Sequence, residues 1–184
     1  MTTQLPRVAI FCDDEQWGGI VTYCVMLARG LPEHGIDAVL VAPHAAEWHK
    51  EAMAAGVRVV VPPTPSLPRP VVLARTVATR FRGRFRQWYH SLAPAQVRWL
   101  IGAWTEFLDV RRELSLIPAD LIHVQSAGGE VAALAARHRT PRVPVVTTLH
   151  FPPSMVADSR RRTTAWRLLC WLNMRASDAT IGVA

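Results

Sequence analysis

Short apolar and β-branched runs alternate with stretches of helical periodicity along most of this chain, and that alternation constrains the fold more than any other feature. Strand-like runs lie at 7–12, 37–42, 57–61, 120–124, 143–149 and 179–183. Between the first two, Val21, Cys24, Val25, Ala28 and Leu31 recur at the spacing of one helix face, predicting a helix over 19–34. A second helix is expected over 45–55, ending at Gly56 in a left-handed cap. A small-residue helix is expected over 130–139, and a further one carries Trp166, Leu169, Cys170 and Leu172 behind Arg160-Arg161-Arg162. The strands are continuous apolar runs, as strands buried on both faces are. The expectation is an α/β fold: an open parallel sheet of about six strands with helices on both faces.

One stretch breaks the alternation. Pro62 to Pro70 holds too many prolines for regular structure and forms a stiff extended connector. Residues 71–115 then read as a basic helical insertion. Leu73, Val77, Phe81, Phe85 and Trp88 form one stripe; Val97, Ile101, Trp104 and Leu108 form another, behind Pro94 at a helix start. The net charge is +7, carried almost wholly by arginine, with Lys50 the sole lysine. No acidic residue falls between Glu51 and Glu106, where Arg58, Arg69, Arg75, Arg80, Arg82, Arg84, Arg86 and Arg98 lie. Such a helix pair either packs its apolar face on the sheet or lies on an anionic membrane. No nucleic-acid-binding motif is present.

At 184 residues, half of them hydrophobic, the chain is long enough for one domain with its own core. No apolar run reaches membrane-spanning length. Cys12, Cys24 and Cys170 are widely spaced in apolar contexts, reading as buried thiols of a reducing cytoplasm rather than a disulfide framework or metal site. No paired carboxylates of a hydrolase and no nucleophile motif are identifiable.

In open parallel sheets, ligands sit beyond the carboxyl ends of the strands. Three loops qualify: 13–19, 125–129 and 150–153. In the first, Gly18-Gly19 precedes a helix start whose free N–H groups suit a phosphate; the alternative is a turn that needs glycine only for its dihedrals. Asp13 and Glu15 contact a ligand or form a solvated acidic loop, and Trp17 stacks on a ligand ring or closes the core edge. Gln125 and Ser126 orient ligand hydroxyls or cap the following helix. His150, before Phe151-Pro152-Pro153, hydrogen-bonds a ligand hydroxyl or phosphate, or caps a loop carbonyl. His123 lies within a strand and reads as a packed core histidine.

The run from Trp17-Gly18-Gly19 through Leu27-Ala28-Arg29-Gly30-Leu31 and His34-Gly35 to Val39-Leu40-Val41 resembles the amino-terminal domain of family 4 (GT-B) glycosyltransferases. Three further matches follow in order: Ala119 to Ser126, Val143 to His150, and Ala176 to Ala184. The resemblance implies a Rossmann-like sheet, the amino-terminal half of a GT-B fold, spanning 1–184. It implies a retaining transfer from a nucleotide sugar to a glycan or lipid-linked acceptor, with no bound metal or other cofactor. His150 is then the catalytic-site histidine, Gly18 and Gly19 touch the donor phosphates, and Asp13, Trp17, Gln125 and Ser126 hold the acceptor. The second, nucleotide-sugar-binding domain of the family is absent from these residues, so a donor-domain partner and little activity alone are expected. The other reading is a noncatalytic module docking on a partner or on an anionic membrane through the Arg75–Arg86 region. Either protein would be cytoplasmic, the second on the cytoplasmic face of a membrane.

Overall fold

A computed structural model describes residues 5–12, 14, 16–42, 46–62, 95–126, 131–150, 171–172 and 174–182, with backbone alone at 95–102, 105 and 126. The chain groups into two compact units, 1–62 with 107–184, and 63–106. Within the second, residues 95–106 are helical. The Pro62–Pro70 connector beyond Pro62, the Arg75–Arg86 region, Asp13, Glu15 and Cys170 lie outside the described residues.

The first unit is built on strands β1 (Arg7–Cys12), β2 (Asp37–Val41), β3 (Val59–Val60), β4 (Leu121–Ser126), β5 (Val145–Leu149) and β6 (Ala179–Gly182). They form one sheet in the order β3-β2-β1-β4-β5-β6, and every neighbouring pair is parallel. This is the doubly wound, Rossmann-like arrangement, with the strand order reversing between β1 and β4. Helices among the described residues include α1 (Gly19–Gly30), α2 (His49–Ala54), α3 (Ala95–Ser115) and α4 (Ala132–Arg137); residues 171–172 and 174–176 are helical as well.

Alternate strand residues define the two faces. Ile10, Cys12, Ala38 and Leu40 pack with Ile20, Val21, Cys24, Val25 and Ala28 of α1, and with Trp48 and Ala52. On the other face Ala9, Phe11, Val39, Val41, Ile122, Val124 and Val145 are buried as well. Parallel crossovers are right-handed, which puts α1 and α2 on the first face and the β4–β5 connection, with α4, on the second.

Several elements are shorter than their apolar runs. The helix expected to 34 becomes a tighter turn over Leu31–His34, where Pro32 supplies no N–H, and it closes at Gly35 with φ 73°. Gly56, at φ 80°, ends the second helix in the left-handed region, as its position implied. The third strand shrinks to Val59–Val60 at the sheet edge. β4 runs two residues beyond the expected end, because Gln125 and Ser126 pair with Thr148 and Leu149. The 125–129 segment therefore begins as strand, and Gln125 is part of the sheet.

The α3 stripe is corrected. Trp104 and Leu108, expected on the apolar face, are 61% and 43% exposed, while Phe107, Val110 and Leu114 are buried. Both sets satisfy helical spacing; Leu114, wholly enclosed, belongs to the set that is buried.

Ion pairs tie the amino-terminal edge of the sheet. Asp37 takes Arg58 at 2.7 Å and Arg7 at 2.6 Å, and these two guanidinium hydrogen bonds hold its carboxyl below the usual range. The Arg7 N–H donates to Asp120, joining β1 to the start of β4. Asp178 accepts from the Val145 N–H and from Arg137, which fixes the entry to β6 beside β5. The carboxyl ends of the strands carry a different set of groups.

Candidate functional site

The polar groups at the carboxyl ends of β1, β4 and β5 begin with α1. Its first turn has no side-chain cap and no acidic residue, and its first intrahelical bond runs from the Thr22 N–H to the Gly18 carbonyl at 2.9 Å. The N–H groups of Gly19, Ile20 and Val21 precede that bond and have no helical acceptor. Gly18 has φ −160°, which any residue adopts, and neither it nor Gly19 is among the positive-φ residues. Among the described residues, a Cβ at either position would meet nothing within 4 Å. The dihedral explanation for the glycine pair therefore falls away. Trp17, half exposed, stands beside it.

Asp14 connects this loop to the core. Its carbonyl accepts a 2.8 Å hydrogen bond from the indole Nε1 of Trp48, which is buried. Burial raises the Asp14 carboxyl above its ordinary range, while the nearby His150 opposes that shift.

His150 follows β5 directly and is half-buried. Tyr23 of α1 meets its ring edge-on, with centroids 5.4 Å apart and planes at 76°. Its Nε2 donates to Gln125 Oε1 at 2.6 Å. The Gln125 amide nitrogen turns the other way, donating to His123 Nε2 at 2.8 Å and to Thr148 Oγ1 at 3.1 Å. The Thr148 hydroxyl and His123 Nε2 are 2.8 Å apart. Registers Cys12↔Gln125 and Gln125↔Thr148 explain the grouping: His123, Gln125 and Thr148 share the sheet face that α1 covers.

All three are buried, with Gln125 and Thr148 at 0% exposure. Burial, with the neighbouring His150 second, pushes the His123 imidazole down to about 4, so the ring is neutral at pH 7. A neutral ring accepting at Nε2 carries its proton on Nδ1. Burial also lowers His150, against the pull of Asp14.

The structure thus brings together Gly18, Gly19, Trp17 and His150 around the strand ends, with Gln125 beneath His150 rather than at the surface. The backbone of Ser126 ends β4, and nothing further is described of it. Asp14, Tyr23, Trp48 and Thr148 were not singled out in the sequence. Thr148 was recoverable, because two hydroxyl residues in a buried run need partners.

A family model described as "Glycosyl transferase 4-like domain" matches residues 18–182. The chain belongs to this family. Among solved structures, that of SsfS6, a glycosyltransferase from Streptomyces sp. SF2575, matches with a TM-score of 0.51 and 17% identity. The match covers 97% of this chain and 50% of SsfS6, so the family domain here spans about half the length of that protein. A second match, HAL3 from Cryptococcus neoformans, has a TM-score of 0.41 at 15% identity, covering 98% of this chain and 85% of HAL3. No curated protein sequence matches the chain.

Proposed function

We propose that this chain is the acceptor-side half of a retaining glycosyltransferase, moving a sugar from a nucleotide sugar to a glycan or lipid-linked acceptor. The observation that carries the reading is the uncapped α1 terminus, with its glycine pair, on the same sheet edge as His150. Uncapped N–H groups and a helix dipole stabilise the charge that develops on a departing diphosphate. In the transfer, the anomeric carbon–phosphate oxygen bond breaks, the acceptor oxygen bonds the same carbon from the same face, and the acceptor's proton passes to the departing phosphate. His150 contacts the transferred sugar or the acceptor, and Trp17 and Asp13 belong to the acceptor side. The rest of the donor site belongs to the nucleotide-binding half of such an enzyme. The buried Cys12 and Cys24 support a reducing compartment, and a cytoplasmic reaction is the reading that follows.

Titration of the 15N-labelled chain with inorganic pyrophosphate tests this directly. The amides of Gly19, Ile20 and Val21 should move, and Gly19→Ala should weaken binding at least tenfold. Among the described residues the added methyl has no atom within 4 Å to strike, so folding should be unchanged. Static amides at the helix start would remove the phosphate reading.

A further inference from the structure

The Gln125 side chain is a complete link between two histidines, and its polarity carries information. Its oxygen can only accept, so His150 Nε2 bears the proton at their 2.6 Å contact. On the far side the amide N–H groups have two acceptors, His123 Nε2 and Thr148 Oγ1. His123 Nε2 and Thr148 Oγ1, themselves 2.8 Å apart, close the far side of the amide. With its oxygen toward His150, the amide selects which nitrogen of that ring is protonated.

We propose that Gln125 is a positioning residue that fixes the Nε2–H tautomer of His150 and leaves Nδ1 as that ring's acceptor for a sugar hydroxyl. The proposal rests on the reading of His150 as a ligand-contacting residue. Gln125 touches no ligand itself, being wholly buried, and acts through the imidazole. Tyr23 restricts the same ring from α1, so hydrogen bond and edge contact together set its plane. The second ring nitrogen has no hydrogen-bond partner among the described residues. Among the described residues, the titratable groups around His150 are Asp14, from the loop after β1, His123, from β4, and Tyr23, from α1. Of these, only His123 reaches it through the amide.

Histidine-ring 15N NMR on the whole chain tests the link without ligand or turnover. Wild type should show His150 protonated at Nε2, with that ring proton slow to exchange. A free imidazole favours the same tautomer, so the decisive comparison is with variants. Gln125→Leu should lose the protected ring proton. Gln125→Glu, which keeps the shape and adds a carboxylate, should raise the His150 titration by about one pH unit or more. An Nδ1–H tautomer in wild type would overturn the proposal, as would a ring proton and titration unchanged in the variants. Gln125→Glu still reads the contact if Gln125→Leu folds poorly. A negative pyrophosphate titration beside a positive ring result would instead count against the phosphate reading alone.

Discussion

Acidification should destabilise this fold in large part through His123. In the folded chain its ring is neutral, wedged between Gln125 and Thr148, and titrates at about 4; unfolded, it would titrate near 6.5. Below 6.5 the unfolded chain therefore binds more protons than the folded one, and stability falls as pH drops. The stabilisation is whole above about 6.5 and is lost progressively down to about 4. At 1.36 kcal/mol per pH unit, that gap is worth on the order of 3 kcal/mol, a large share of a typical domain's 5–15. Urea unfolding at half-unit steps from pH 7 to 4, on wild type and His123→Gln, gives the measurement. Carboxylates and His150 titrate in both proteins, so the difference between the two curves isolates His123. Wild type should lose up to about one proton's worth of slope more than the variant in this window. Parallel curves would refute the reasoning, because they would mean the ring takes its proton as easily folded as unfolded.

The site and the core give two more tests. Asp14→Asn should lower the His150 titration further below 6.5, since the Asp14 charge is what opposes the effect of burial there; an unmoved His150 resonance would separate the two groups. Leu114→Ala should cost about 2–5 kcal/mol in chemical denaturation, as a fully enclosed leucine leaves a cavity, whereas Leu108→Ala should cost well under about 1 kcal/mol. Equal losses at the two positions would restore the stripe through Leu108 as the buried one.

Six strands, their order of appearance and the helical crossovers were legible because each strand is a short apolar run bounded by a turn residue. Gly35 and Gly56 stop elements at positive φ, which only backbone freedom explains. Element ends were less legible. Gln125 and Ser126 are polar and precede a Gly-Gly pair, so they look like loop, yet pairing with Thr148 and Leu149 keeps them in the sheet. The same pairing hid the site's lower half. A histidine two residues from a glutamine lies on the same strand face, but which neighbour supplies the hydroxyl depends on β4–β5 register, which no local pattern states. The α3 stripe failed for a related reason: two faces with equal periodicity compete, and tertiary contact decides between them.

The two ends of the sheet divide the work by chemistry. At the amino-terminal edge the polar contacts are ion pairs on exposed or half-exposed groups, Arg7 and Arg58 on Asp37, Arg137 on Asp178. Such pairs add little stability singly, and fix the register in which the strands begin. At the carboxyl edge the groups are neutral and buried: one amide, one hydroxyl and one imidazole beneath a second imidazole. An apolar set of the same volume would fold at least as stably, since burying polar groups is at best close to neutral. A hydrogen-bonded network adds a unique orientation, which an apolar core cannot impose on a histidine ring. Here that orientation is given to His150, beside the uncapped start of α1.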